Sequence, residues 1–309
     1  MPPRQHLPIR YEAVFNAYVA ALDQAPLDEH TRRAYASRVR GFLAWLEDTA
    51  SDGGDPFTET HGRDFAARNY RAHLKTVLKR TPATANAHLV ALDHFFTYLG
   101  LGPASADRDE PEHTTPRVLA PHEQKRFLRA VEKRRLGRDR AIGCLLFYSG
   151  LSVSELVALD VDDVLLSACK GKVIVRPGKN DGARTVPLIN ASAREAVAAW
   201  KRERTDWPGA ESGALFLNRR GGRLSDRAVN LLLEEIALDA QVVDGHGHSA
   251  ISAHVLRHTF GANLARSGKV DLAVISQLMG HKRLETTRRY TLPTQTDLEA
   301  AVAHLPADK

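Results

Sequence analysis

The sequence predicts a mainly α-helical protein with a small β-hairpin or sheet, divided into two domains. Three observations carry that expectation. Apolar residues recur at helical spacing through residues 9–100, the composition breaks at 102–117, and two short β-branched runs stand among later helices. A chain of 309 residues, 43% of them hydrophobic, can bury one large core or two smaller ones, and its length favours two.

The first domain is expected over residues 1–101. Tyr35, Val39, Phe42, Leu43 and Leu46 share one helical face, and Leu89, Leu92, Phe95, Phe96 and Leu99 share another. Between them, Arg71, Lys75, Lys79 and Arg80 put positive charge just before a turn and a new helix. These four are candidates for contact with a phosphate backbone, and a solvated helical face is the competing explanation. Residues 102–117, GPASADRDEPEHTTPR, are rich in Pro, Ser, Thr and acidic side chains, with no apolar periodicity to bury, and are expected to form a linker.

The second domain is expected over residues 118–309. Pro121 suits the first turn of a helix, and a second helical run passes through RDRAIGCLLFYSG. In SGLSVSELVALD, residues 149–160, Ser152 and Glu155 have the spacing of a capping box, with Leu156 and Leu159 facing a core. Asp160 and Asp163 read as helix-exit or surface acids. KVIVR and RTVPL then flank PGKNDGA, a loop of turn residues, so a hairpin presents Lys179 near its tip. Helices resume in ASAREAVAAWKRER, SDRAVNLLLEEIALDA, SAHVLRHTFGANLARSG and DLAVISQLMG, and the last is TDLEAAVAHL.

A net charge of +6 and a pI near 9.4 favour a polyanionic partner, because Lys and Arg that neutralise phosphates release counterions. Cys144 and Cys169 give neither a disulfide framework nor a zinc site, and they fit a reducing cytosol. Nowhere do 18 uncharged apolar residues run together, so a cytoplasmic protein without a membrane span is expected. His254 and His258, four apart, share a helical face, but a metalloprotease would need Glu where Val255 stands, so neither metal nor cofactor is expected. His254 and Arg257, three apart, could instead address one phosphate with a proton-moving imidazole and a permanently charged fork. His281 follows Gly280, and Tyr290 comes nine residues later. Each of Lys179, His281 and Tyr290 has an ordinary alternative as a loop lysine, a helix end and a packing residue.

YSGLSVSELVALDVDDV, GKNDGARTVPL, SAHVLRHTFGANLARSG and LMGHKRLETTRRYT occur in an order and at a spacing that resemble the tyrosine recombinases, or phage integrases, in particular the Xer-type and transposon-borne members. The resemblance implies a helical, SAM-like core-binding domain over residues 1–101 and a tyrosine-recombinase catalytic domain over 118–309. It implies that Tyr290 is the nucleophile that forms a 3′-phosphotyrosyl bond, His254 its proton acceptor, and Arg257 and His281 the holders of the phosphate oxygens. Lys179 would be the general acid toward the leaving 5′ oxygen. It further implies a double-stranded DNA recombination site as partner and a homo-tetramer on DNA. That tetramer would be coupled through the tail segment of Leu298, Ala301, Val302 and Leu305, with a partner recombinase as a further possibility. Docking of the tail on its own domain is the competing explanation.

At one position the chain departs from the family. Members carry an arginine directly after Gly-Leu, and here Ser152 stands there. A hydroxyl is neutral and short, and cannot form a bidentate clamp on phosphate. Three explanations compete: an introduced substitution, a naturally weakened or regulatory member, or a cation from elsewhere, for which Arg138, Arg140 and Lys282 are the candidates. An active recombinase of reduced rate, a disabled DNA-binding relative with an architectural or regulatory role, and a metal-dependent hydrolase using the histidines are the functional alternatives, in that order.

Overall fold

Several helices in this chain begin where a short polar side chain caps them. Asp28 accepts from the Thr31 amide at 2.8 Å and opens α2, Glu29–Glu47; Thr81 accepts from the Thr84 amide at 3.3 Å and opens α4, Pro82–Tyr98, with Pro82 in its first turn. With α1, Ile9–Gln24, and α3, Thr60–Thr76, they build the first of two units of the computed structural model, residues 1–114 and 115–309. The structure describes residues 7–49, 53–110, 117–176 and 183–280.

The core of the first unit is aromatic. Tyr18, Phe42, Phe95 and Phe96 are fully buried, and Phe42 meets Tyr70 and Phe96 edge to face with centroids 5.3 and 5.8 Å apart. Two histidines satisfy the buried phenols: Tyr18 hydrogen bonds with His94 Nδ1 at 3.0 Å and Tyr70 with His88 Nδ1 at 3.3 Å. Burial, reinforced by the charges of Arg38 and Arg80, pushes His88 down to about 4. The first part of the expected linker belongs to this unit. Ala104 and Ala106 pack on its core, Asp93 accepts from the Ala104 amide at 3.1 Å, and the Asn86 side chain bonds the Asp109 main chain at both its carbonyl and its amide. Alternation of small apolar and acidic residues achieves this docking without the helical periodicity that would reveal it in sequence.

The second unit contains α5, Pro121–Glu132, α6, Gly137–Ser149, and α7, Val153–Ala158. A three-stranded antiparallel sheet follows, β1, Val164–Leu166, β2, Gly171–Val175, and β3, Arg184–Pro187, in the order β1-β2-β3. Val164 pairs with Val173 and Val173 with Val186, so three buried valines stack on its inner face. Then come α8, Ala191–Glu203, α9, Asp226–Asp239, α10, Ala253–Arg266, and α11, Leu272–Met279. α6 is buried on nearly all sides, through Ile142, Leu145 and Leu146 among others, and packs on α8 and α10. Trp200 of α8 is fully buried and donates its indole N–H to the Leu215 carbonyl at 2.9 Å.

The expected hairpin, β2 with β3, is extended to a small sheet by β1, a three-residue strand after DVDD with no period of its own. One expectation changes here. Asp163 is no surface acid: it is 3% exposed, accepts from Arg176 Nε at 2.8 Å and caps the Asp160 amide at 2.8 Å. Asp160 receives Arg223 at 2.6 Å and Arg176 at 2.9 Å. Among the described residues no helix is long and apolar enough to cross a membrane.

Candidate active site

Three segments far apart in sequence meet at one carboxylate. α6 stops at Gly150, whose left-handed backbone (φ 62°) turns the chain; a Cβ there would run into the Phe260 ring. The chain then reaches Ser152, which caps α7. Its Oγ accepts from the Glu155 amide at 3.2 Å, and its own amide donates to Glu155 Oε2 at 2.7 Å, the reciprocal bonds of a capping box. Ser152 is therefore the helix cap the sequence predicts. Its hydroxyl also lies 3.2 Å from that of Ser154.

Glu155 does more than cap. Arg184, first residue of β3, donates to both of its oxygens, Nη1 to Oε1 at 2.5 Å and Nη2 to Oε2 at 3.0 Å. Arg257, one turn into α10, donates Nη1 to Oε2 at 3.2 Å and to the Gly150 carbonyl at 2.9 Å. The two guanidinia also hold the end of α11: Arg184 Nε donates to the Leu278 carbonyl at 3.0 Å, and Arg257 Nη2 donates to the Met279 carbonyl. Burial pushes the Glu155 carboxyl up. The hydrogen bonds from Arg184 and the Ser152 amide, with the charges of Arg184 and Arg257, outweigh it and hold the group below the usual carboxylate range.

α10 begins at the Ser252 cap, whose hydroxyl accepts from the Val255 amide at 3.3 Å. Its first two turns carry His254, exposed, and His258, buried, with ring centroids 4.1 Å apart and planes at 82°. His254 and Arg257 thus occupy one end of one helix, as their spacing predicts. Among the described residues no three His, Cys, Asp or Glu side chains gather as metal ligands.

Lys179, His281 and Tyr290 lie outside the described residues, as do Lys282 and the tail segment from Leu298 to Leu305. Of the other cations considered as substitutes near Ser152, Arg138 is bound to Asp139 at 2.9 Å and to the Leu217 carbonyl at 2.9 Å, over the Trp207 ring. Arg140 donates to the Arg134 carbonyl at 2.7 Å. Of the four basic residues proposed to face a phosphate backbone, Arg71 and Lys75 both bond Asp109 Oδ1, at 2.7 and 2.8 Å, while Lys79 and Arg80 are exposed. The hydrogen bond from Lys75, ahead of the other influences, holds the Asp109 carboxyl below its ordinary range. Sequence reasoning missed Arg184 altogether and saw Glu155 only as a cap. Pairings 29 and 102 residues apart leave no local pattern.

Residues 117–296 match the Phage integrase family. The chain is 34% identical over 295 residues to the tyrosine recombinase XerA of Thermococcus kodakarensis, covering 93% of each chain. It is 33% identical over 279 residues to the tyrosine recombinase XerC of Pelobacter propionicus, covering 86% of this chain and 85% of that one. The fold resembles that of the Tn1549 transposon integrase in complex with transposon right end DNA (TM-score 0.70, 18% identity, 95% of this chain and 99% of the other). It also resembles the XerH site-specific recombinase bound to palindromic difH substrate (TM-score 0.68, 21% identity, 88% and 79%).

Proposed function

Because this chain belongs to the phage integrase family, the tyrosine recombinases, we propose that it breaks and rejoins duplex DNA at specific sites through a 3′-phosphotyrosyl intermediate. The observation that carries this reading is the fixed guanidinium of Arg257, held by Glu155 and two main-chain carbonyls beside His254. A preorganised fork next to an imidazole suits one phosphate whose charge grows in the transition state.

In the proposed reaction Tyr290 Oη attacks the scissile phosphorus and the bond to the 5′ oxygen breaks. A tyrosine near its ordinary pKa of about 10 is a weak nucleophile at neutral pH. His254 takes its proton, Arg257 and His281 hold the non-bridging oxygens, and Lys179 gives a proton to the leaving 5′ oxygen. The phosphotyrosyl bond retains the energy of the broken diester, so a 5′ hydroxyl from the same or another strand attacks it and releases Tyr290. Neither ATP nor a metal enters this scheme. The partner is a double-stranded recombination site held by a homo-tetramer coupled through the Leu298–Leu305 tail, with or without a second recombinase.

One observation favours a second reading. Ser152 offers a neutral hydroxyl already engaged at the start of α7, and losing one phosphate-directed donor costs on the order of 10²- to 10³-fold in rate. A disabled, DNA-binding relative with an architectural or regulatory role would look the same at this position. The two readings separate on a nicked suicide duplex, selected from a random library by binding to the protein and incubated in EDTA. The recombinase forms a covalent protein–DNA adduct that Tyr290→Phe abolishes. Binding without adduct, in the native chain and in Ser152→Arg alike, supports the disabled relative, and activity lost to EDTA supports a metal-dependent hydrolase.

A further inference from the structure

We propose that Arg184 supplies the second guanidinium that grips the scissile phosphate, replacing from β3 the charge that Ser152 lacks. The inference rests on the strand-transfer reaction proposed above and names a further group that would touch the reacting phosphate.

Four features of Arg184 argue for it. The first is convergence: the Ser152 amide, Arg184 Nη2 and Arg257 Nη1 all donate to the same oxygen, Glu155 Oε2. The guanidinium therefore lies within one carboxylate of the main chain at 152 and of the arginine the reaction already uses. The second is equivalence with Arg257. The two side chains are 11% and 13% exposed, both use Glu155, and they take consecutive carbonyls, Leu278 and Met279, at the end of α11. The two guanidinia thus share one carboxylate oxygen and the end of α11, at similar exposure.

The third is unused donor capacity. A guanidinium has five N–H groups, and three of those on Arg184 have partners among the described residues. The remaining two sit one on each terminal nitrogen, on opposite edges of the plane, so one of them can donate to a phosphate oxygen while the fork stays on Glu155. The fourth is charge. Two guanidinia face one carboxylate in this half-buried cluster, which leaves one positive charge among these three side chains, and buried charge calls for a counter-ion. Arg138 and Arg140, the other candidates within the described residues, are tied to Asp139 and to main-chain carbonyls away from Glu155. In the sequence Arg184 comes five residues after Lys179, the proposed general acid.

The test measures single-turnover adduct formation on the suicide duplex for the native chain, Arg184→Gln, Arg184→Lys, Ser152→Arg and the double variant Ser152→Arg/Arg184→Gln. Duplex binding and thermal melting are followed in parallel. If Arg184 grips the phosphate, Arg184→Gln slows the adduct about 10²- to 10³-fold, with a much smaller change in binding, and Arg184→Lys retains part of the rate. Ser152→Arg restores most of the loss in the Arg184→Gln background while accelerating the native chain far less. A methylphosphonate at the scissile position removes one negative charge, and on it Arg184→Gln falls behind the native chain by only a few-fold.

A purely structural Arg184 gives a different pattern. The loss then follows melting temperature, Ser152→Arg does not rescue it and the methylphosphonate does not shrink it, and any of these results overturns the proposal. An adduct seen with Ser152→Arg but not with the native chain also overturns it while leaving the strand-transfer reading intact. No adduct from either chain removes that reading as well. Should Arg184→Gln not fold, the Arg184→Lys rate on phosphate against methylphosphonate decides alone.

Discussion

In the helical unit over residues 1–114 the buried phenols are satisfied one at a time among aromatic rings, whereas in the unit over 115–309 distant segments converge on the Glu155 carboxylate. In the first, each buried phenol meets one imidazole, Tyr18 with His94 and Tyr70 with His88. In the second, Glu155 collects two arginines, a serine amide and, through the arginines, the main-chain carbonyls of Gly150, Leu278 and Met279. Deleting one member of a pairwise core leaves a local hole. Removing the hub of a convergent network frees several charges at once.

In magnitude, however, the largest expected effect is a cavity in the first unit, because a fully buried ring has no solvent to soften its loss. Phe96→Ala removes a fully buried ring that packs on Phe42 and Phe95 and should cost about 3–5 kcal/mol in urea unfolding. A cost under about 1 kcal/mol would mean that the aromatic cluster is not what holds this unit. Next comes Glu155→Ala, which leaves the Arg184 and Arg257 guanidinia without their carboxylate. Breaking such a pair costs about 3 kcal/mol, the lower end of the usual range because Glu155 keeps some exposure. Adduct formation should fall with it. If Glu155→Ala unfolds at the native midpoint, the network does not stabilise the second unit and the contrast between the units fails.

The smallest effect sharpens the contrast through pH. His88 titrates at about 4 in the folded chain against 6.5 ordinarily. As pH falls from about 6.5 to 4 the unfolded chain takes up a proton that the folded one refuses, and the first unit loses stability. The loss is on the order of 1 kcal/mol once partial exposure is allowed for. The Glu155 carboxyl lies below its ordinary 4.5, so its contribution is complete above that pH and disappears only as pH falls further. Urea midpoints at pH 7, 5 and 3.5, read with probes in each unit, should show the first unit weakening before the second. His88→Gln should flatten the upper window, and an unchanged slope would assign that window to another group.

Legibility in the sequence follows the same division. The stripes of α2 and α4 in the first unit and most helices of the second announce themselves through apolar spacing and caps, since these are properties of a few neighbouring residues. Residues 102–110 read as linker because they dock through Ala104, Ala106 and single polar bonds, without a helical stripe. β1 was hidden by its three-residue length. At the candidate site the helix cap of Ser152 and the pairing of His254 with Arg257 on one helix were readable, because each is local. The role of Glu155 as a hub and the arrival of Arg184 were not, because long-range convergence is decided by the tertiary fold and not by any window of sequence.

The left-handed glycine that ends α11 has a consequence for inheritance. At Gly280 (φ 67°) an added Cβ would sit 2.6 Å from Arg184 Nη1, so any side chain there displaces the guanidinium from Glu155. Codons 155, 184 and 280 are thus linked in what they can tolerate: a lineage that loses one relaxes selection on the other two. Gene descendants in which all three persist beside a serine at 152 would be those still under pressure to keep two guanidinia on Glu155, and decay of the trio would mark the loss of that pressure.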